Sequence, residues 1–184
     1  PNFRGSAGYG DQWYMDNGFQ SWRTAIGDVA DAGRWMVTEG AGPAKLSIVG
    51  WSYGGYAALQ SGVLASDLFR SIVAIAPVTD LAQLKSDAQK YTTGALVRDF
   101  IGTGPHIREG SPAQNAAGIK APVLMFHGTL DQNVDIEQAR IMRRALTSAG
   151  KSVELVEFPG LAHSLNDSEA RTAMLARITQ FLPH

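Results

Sequence analysis

The stretch Gly50-Trp51-Ser52-Tyr53-Gly54-Gly55 decides the fold of this chain. It follows an apolar run at residues 46–49 that is typical of a buried strand, and it precedes residues 56–59, which are typical of a helix. The glycines two residues before and after the serine let a strand and a helix pass closely. Ser52 is therefore expected on a sharp strand-to-helix turn, with its hydroxyl raised above the edge of a sheet.

Two more candidate side chains, an aspartate and a histidine, follow predicted strands after Ser52 in the chain. Residues 123–128 resemble a buried strand that leads to Asp131, and residues 153–158 resemble another that leads to His163. Parallel strands build their sites at their carboxyl ends, and the order Ser, Asp, His is that of the α/β-hydrolases. The sequence predicts Ser52 as nucleophile, His163 as its base and Asp131 as the acid that orients the base. A glycine-rich turn with an incidental serine is the alternative interpretation.

Other residues of the same types fit these roles less well. His184 is the last residue, and His106 lies in a loop rich in glycine and proline. His127 precedes the candidate acid in the chain, so we interpret it as a packed structural histidine. Asp135 stands where a helix should begin and suits a capping role. Asp80 also follows a predicted strand and remains an alternative acid.

Composition narrows the classes of function. The 184 residues are 45% hydrophobic, which suits one domain with a sizeable core. The net charge is −1 with no basic stripe, which argues against binding to nucleic acid or to an anionic membrane surface. No apolar run approaches the roughly 20 residues that a membrane span needs. The lack of cysteine excludes thiolate chemistry, and no H-E-x-x-H motif is present, so neither a metal nor a cofactor is predicted.

Strands that alternate with helices predict an α/β fold with a mostly parallel sheet flanked by helices. Residues 1–20 are expected to form a loop, and residues 79–118 are expected to be the least regular part, with short helices at 81–85 and 96–100. The remaining elements are strands at 45–51, 71–76, 121–127 and 152–158, and helices near 22–37, 54–65, 135–149 and 168–182.

The first of these strands already leads to the nucleophile. In the α/β-hydrolase fold several strands come before it, and one of their loops donates an N–H group to the oxyanion hole. We therefore expect residues 1–184 to be a single catalytic domain that lacks its N-terminal strands and forms the C-terminal part of a larger hydrolase. The strand at 45–51 would then be an exposed edge that pairs with the missing N-terminal segment or with a second copy.

From residue 2 to residue 181 the sequence resembles the catalytic domain of the prolyl oligopeptidase family of serine peptidases, which includes dipeptidyl-peptidases and acylaminoacyl-peptidases. The resemblance is strongest at the Trp-Ser-Tyr-Gly-Gly turn. It extends over several stretches, namely residues 2–10 (NFRGSAGYG), 50–56 (GWSYGGY), 76–80 (APVTD), 121–124 (APVL), 127–134 (HGTLDQNV) and 162–163 (AH).

Carried over residue by residue, the resemblance implies the triad of Ser52, Asp131 and His163, with the Tyr53 backbone N–H as one oxyanion donor. It also implies that a pocket for the residue before the scissile bond is lined by Tyr53, Val78 and Asn133, together with Leu81 and Leu84. The last two positions are aromatic in dipeptidyl-peptidases, so this chain departs from their pattern for cleavage after proline. Members of the family also carry an N-terminal β-propeller and an upstream oxyanion residue, often tyrosine, neither of which these 184 residues contain.

These features favour a serine hydrolase that cleaves peptide or ester bonds through an acyl-enzyme. A carboxylesterase would use the same three residues, so that alternative stays open. A catalytically incomplete fragment, which needs a missing N-terminal part or pairs through its sheet edge, is a second alternative. A pseudo-hydrolase that only binds a ligand is a weaker one, because the sequence shows nothing that disables the triad.

Overall fold

A parallel four-stranded sheet forms the centre of the molecule. The computed structural model describes residues 1–15, 18–42, 45–90, 92 and 94–183, so His184 lies outside the described residues. The strands are β1 (Leu46–Trp51), β2 (Phe69–Ile75), β3 (Val123–Gly128) and β4 (Val153–Phe158). They lie side by side in chain order, and all three pairings are parallel. The predicted α/β class with a parallel sheet is confirmed.

Helices connect and cover the strands. They are α1 (Asp11–Met15), α2 (Trp22–Thr38), α3 (Tyr53–Leu64), α4 (Leu81–Asp87), α5 (Gly94–Ile101), α6 (His106–Glu109), α7 (Glu137–Ser148) and α8 (Ser168–Phe181). Two 3₁₀ segments, Ala88–Lys90 and Pro112–Gly118, complete the helical structure. In the described part of the chain, no helix combines the length and apolar character needed to cross a membrane.

Alternate residues of the central strands pack on opposite faces of the sheet, as the two-residue period of a strand requires. On one face, Ile72 and Met125 lie in a core cluster with Leu59 of α3 and Met142 of α7. On the other face, the core cluster joins the intervening strand residues to α8, namely Val73, Ile75, Leu124, Phe126, Met174 and Ile178. The sheet is thus a middle layer between two layers of helix.

Residues 79–118 contain more helix than the sequence predicted, and residues 1–20 contain the short helix α1 rather than only a loop. The segment after β2 is held by tertiary hydrogen bonds. The buried Gln138 side chain of α7 accepts from the backbone N–H groups of Thr79 and Asp80, both at 2.8 Å. The Ser111 hydroxyl accepts from the Leu81 N–H at 2.8 Å. The short helices predicted at 81–85 and 96–100 are present as α4 and α5, whereas α6 and the 3₁₀ segment Pro112–Gly118 were not predicted.

The β1 strand lies at one edge of the sheet and, within the described residues, pairs only with β2. Leu46 is its only buried residue, and the Val49 side chain is about half exposed. The sequence predicted this strand as an edge. Its apolar composition together with its exposure is unusual for an edge strand, which proteins ordinarily protect from further pairing.

Candidate active site

Ser52 lies in the turn between β1 and α3 and has a strained backbone. Its φ of 58° and ψ of −119° place a residue with a side chain in the left-handed half of conformational space. The turn is held from both sides, because the Ser52 N–H donates to the Ile75 carbonyl at 2.8 Å and its carbonyl accepts from the Tyr56 N–H at 3.0 Å. This geometry has the form of the strand-to-helix serine turn that the sequence predicted.

Two glycines permit this turn because neither position has room for a side chain. A Cβ atom added at Gly50 would come within 2.0 Å of the Gly54 carbonyl oxygen, and one added at Gly55 would come within 3.0 Å of the Pro77 Cβ. The first distance is far below any real contact, so strand and helix can approach this closely only with glycine at position 50.

Asp131 lies in the loop after β3, and its side chain is fully buried. Its Oδ1 accepts from the backbone N–H groups of Asn133 and Val134, both at 2.9 Å. Burial alone would raise the pKa of Asp131, but hydrogen bonds from two histidine rings and these two N–H groups bring it below its usual value. Asp131 is therefore ionised at neutral pH.

His163 lies in the loop after β4, with its ring next to Asp131. Its Nδ1 is 2.7 Å from Asp131 Oδ2, so the ring donates from Nδ1 to the carboxylate and leaves Nε2 available as a base. The loop also contacts the strand that precedes the serine, because the Trp51 Nε1–H donates to the His163 carbonyl at 3.3 Å. Among the described residues, no hydrogen bond joins the Ser52 hydroxyl to the His163 ring; such bonds often tighten only in the substrate complex.

Tyr53 is the first residue of α3, so its backbone N–H has no acceptor within its own helix. This N–H group follows Ser52 in the chain and lies at the N-terminus of α3. A helix N-terminus favours negative charge close to it. The Tyr53 ring packs among Phe3, Phe19 and Tyr56, with centroids 5.2–5.6 Å apart. Burial raises the pKa of the Tyr53 hydroxyl to about 12, so it stays protonated.

The other candidate pocket residues divide into two groups. Leu84 and Asn133 line a cavity of about 590 Å³. Asn133 also lines a second cavity together with His163. Val78 and Leu81 are buried in the apolar cluster beneath α2 and α3, and Leu81 has no exposed surface. Their role in binding a substrate stays a prediction.

Most competing residues have structural partners. Asp80 caps α4 by accepting from the Gln83 N–H at 2.9 Å. Asp135 Oδ1 accepts from the N–H of Glu137, the first residue of α7, at 2.9 Å, in keeping with the capping role expected of it. His106 Nε2 is 2.7 Å from the Ile101 carbonyl.

The contact of His127 with Asp131 was not predicted from the sequence. His127 is packed, as expected, but its ring also lies against the candidate acid, with Nε2 3.2 Å from Asp131 Oδ2. The four-residue spacing in His-Gly-Thr-Leu-Asp, across the end of a strand and a turn, is the signal that could have indicated this contact. Within the described residues, no group of three or more histidine, aspartate or glutamate side chains could hold a metal ion.

The parallel sheet between helical layers and the strained serine turn define an α/β-hydrolase fold. Residues 1–184 match the model of the prolyl oligopeptidase family over their whole length. The chain belongs to the prolyl oligopeptidase family.

Individual relatives agree with this assignment. Dipeptidyl peptidase 8 of Mus musculus is 33% identical over 133 residues, which are 68% of this chain and 14% of that protein. Dipeptidyl aminopeptidase BIII of Pseudoxanthomonas mexicana is 29% identical over 191 residues, covering 98% of this chain and 28% of that protein.

A solved structure of a puromycin-hydrolyzing peptidase from Mycobacterium tuberculosis superposes with a TM-score of 0.83 at 27% identity. The match covers 98% of this chain and 29% of the other. The chain therefore spans less than a third of the length of each of these three proteins.

Proposed function

We propose that residues 1–184 are the catalytic domain of a serine peptidase that cleaves peptide bonds through an acyl-enzyme on Ser52. The observation that carries this proposal is the pairing of His163 with Asp131 at the carboxyl ends of the strands, where the strained Ser52 turn also lies. Membership in the prolyl oligopeptidase family and the names of the relatives, which are peptidases, support it.

In the proposed reaction, the Ser52 hydroxyl attacks the substrate carbonyl while His163 Nε2 takes its proton. Asp131 keeps the other ring nitrogen protonated and stabilises the imidazolium that forms. The same proton is then given to the leaving amine, and water, activated by His163, hydrolyses the acyl-enzyme.

The Tyr53 backbone N–H is the proposed donor to the oxyanion that develops on the substrate carbonyl. It belongs to the residue after the nucleophile, which is where this turn supplies one such donor. Removal of one donor typically slows catalysis about 10²–10³-fold, so the second donor matters as much as the first.

We propose that the substrate residue before the scissile bond binds between Tyr53 and Asn133. Val78, Leu81 and Leu84 would form the wall of this pocket. Asn133 supports this assignment because its N–H donates to Asp131 Oδ1 at 2.9 Å and it lines both the cavity with Leu84 and the cavity with His163. Val78 and Leu81 would support this wall from beneath, since both are buried.

Labelling with a fluorophosphonate tests the proposal directly, because the reagent modifies only an activated serine. We expect adduct formation at Ser52, no adduct in Ser52→Ala, and a rate lower by several orders of magnitude in His163→Ala. Equal labelling of the unmodified chain and of His163→Ala would contradict the proposed base. Faster turnover of aminoacyl-anilides than of p-nitrophenyl esters would indicate a peptidase, and the reverse would indicate a carboxylesterase.

A second possibility is that the described residues are catalytically incomplete alone. The exposed β1 edge and the greater length of the relatives favour it. In that case a version extended upstream of residue 1 would react with the fluorophosphonate, whereas the 184-residue chain would fold but would not react.

A further inference from the structure

The second histidine beside Asp131 has no part in the reaction as proposed above. His127 lies at the end of β3 and has no exposed surface. Its Nε2 is 3.2 Å from Asp131 Oδ2, the same carboxylate oxygen that His163 Nδ1 approaches at 2.7 Å. Oδ2 therefore lies between two imidazole rings, while Oδ1 is held by backbone N–H groups.

The surroundings of His127 determine which of its nitrogens carries the hydrogen. Nε2 is 2.8 Å from the Val134 carbonyl as well as 3.2 Å from the Asp131 carboxylate. Both neighbours only accept hydrogen bonds, so Nε2 must be the protonated nitrogen; its hydrogen bond goes to the Val134 carbonyl, and the carboxylate lies beside it at 3.2 Å. Nδ1 is buried without a partner among the described residues, so a second proton there would have no acceptor.

These contacts form a closed arrangement around the carboxylate. Val134 takes part twice, because its N–H donates to Asp131 Oδ1 and its carbonyl accepts from His127. Any rotation of the carboxyl group would break either the backbone contacts of Oδ1 or the histidine contacts of Oδ2. Because the Asp131 side chain has no exposed surface, its lost hydrogen bonds could not be replaced by water.

We propose that His127 is a positioning residue, whose Nε2–H holds Asp131 Oδ2 in the orientation that receives His163 Nδ1. It does not touch the substrate, and it acts only through the carboxylate. Its effect on catalysis rests on the proposed function, but its effect on the tautomer of His163 does not. The two can therefore be measured separately.

The test compares variants that keep or remove the donor at Nε2. In His127→Gln the amide nitrogen reaches about as far as Nε2, whereas the amide of His127→Asn ends near Nδ1, and His127→Leu has no donor. Phe126→Leu is the matched control, since Phe126 is the equally buried neighbour on the opposite face of β3. Nitrogen-15 NMR of the histidine rings reports the tautomer of His163, and fluorophosphonate labelling reports the reactivity of Ser52.

We expect His163 to carry its hydrogen on Nδ1 in the unmodified chain, in His127→Gln and in Phe126→Leu. In His127→Leu and His127→Asn we expect a mixture of tautomers, with labelling slowed about 10- to 100-fold, the size found when partners that orient a functional histidine are removed. If the Leu variant does not fold, the Gln and Asn pair still decides the question.

Two results would overturn the proposal. One is an unchanged His163 tautomer in His127→Asn, and in His127→Leu where that variant folds; the other is an equal loss in Phe126→Leu, which would reduce His127 to a packing role. If Ser52 is unreactive even in the unmodified chain but the His163 tautomer depends on His127, then the proposed function fails and the positioning role stands.

Discussion

Ser52 shows how strain can be maintained at a single residue. A non-glycine residue with positive φ costs about 1–3 kcal/mol and persists only where its neighbours leave no alternative. Here the neighbours are the Ile75 carbonyl and the Tyr56 N–H, which fix the Ser52 peptide groups on either side. They belong to β2 and α3, so the position of the hydroxyl depends on the packing of strand against helix rather than on the serine itself.

At Asp131 we predict that replacement by asparagine removes reactivity but not the fold. The amide would present an N–H to His163 in some orientations and so favour the wrong tautomer of the ring. We expect fluorophosphonate labelling of Ser52 in Asp131→Asn to slow about 10⁴-fold, with cooperative unfolding retained.

Asp135→Asn is the matched control for this experiment, because it makes the same change four residues along the chain, at a carboxylate that accepts from the Glu137 N–H and lies 3.7 Å from Lys90 Nζ. We expect its labelling rate to stay near that of the unmodified chain. A comparable loss of labelling in both variants would mean that the general electrostatics of the loop matter, rather than the contact with His163.

At the scale of elements, the crossing of β1 and α3 depends on Gly50. An alanine there would place its Cβ 2.0 Å from the Gly54 carbonyl oxygen, whereas a Cβ at Gly54 meets nothing within 4 Å. We predict that Gly50→Ala destabilises the chain by about 3 kcal/mol, or roughly 6–12 °C in Tm. Gly54→Ala should be neutral or slightly stabilising, because alanine favours helix. Thermal unfolding of the two variants checks this, and equal Tm values would refute it.

The outer strand β4 is tied to a helix on each face. Glu157 pairs with Arg140 of α7 through two hydrogen bonds of 3.0 and 2.6 Å, and Glu154 pairs with Arg177 of α8. The two glutamates are three residues apart, so they point to opposite faces of the strand. The hydrogen bond from the Arg140 guanidinium lowers the pKa of Glu157 below its usual 4.5.

This shift gives a prediction with a definite sign. A carboxylate whose pKa is lower in the folded state adds stability above its unfolded pKa, and this stability is lost as the pH falls through the folded pKa. We expect Glu157→Gln to lower the free energy of unfolding by about 0.5 kcal/mol at neutral pH and by nothing well below pH 4.5. Urea unfolding at both pH values measures this. Glu39→Gln, at an exposed glutamate at the C-terminus of α2, is the control. Its effect on the free energy of unfolding should be the same at both pH values.

The strands and the helices that cover them could be predicted from the sequence because their signals are local. Ile72 to Ile75 are continuously apolar, as in strands buried on both faces, and helices α2 and α7 show a clear apolar period. Of the short helices between residues 81 and 109, α4 and α5 were predicted within two residues of their bounds, whereas α6 was not predicted. They are 4–8 residues long, too short to be stable alone, and depend on partners such as Gln138 and Ser111.

For the molecule as a whole, the site consists of three loops at one end of a parallel sheet. Sequence reasoning could select Ser52, Asp131 and His163 because each follows a strand, and strand ends meet by topology. It could not assign His127, because a histidine at the end of a buried strand is equally consistent with packing. The distance from its Nε2 to Asp131 depends on the turn after β3, which only the folded loop defines.

The edge of β1 is one of the two sheet edges that the described residues leave without a partner strand, the other being that of β4. An exposed edge strand offers unpaired backbone groups, and here it carries the half-exposed Val49 where edge strands commonly carry lysine or a bulge. We predict that the 184-residue chain associates through this edge, so its mass by light scattering rises with concentration. Val49→Lys should shift it toward the monomer without changing its helix content, because a charge at the edge opposes pairing. Leu175→Lys, at a leucine on α8 that is more exposed than Val49, is the control and should leave the association unchanged. A chain that stays monomeric at every concentration and unfolds cooperatively would show that β1 needs no partner strand.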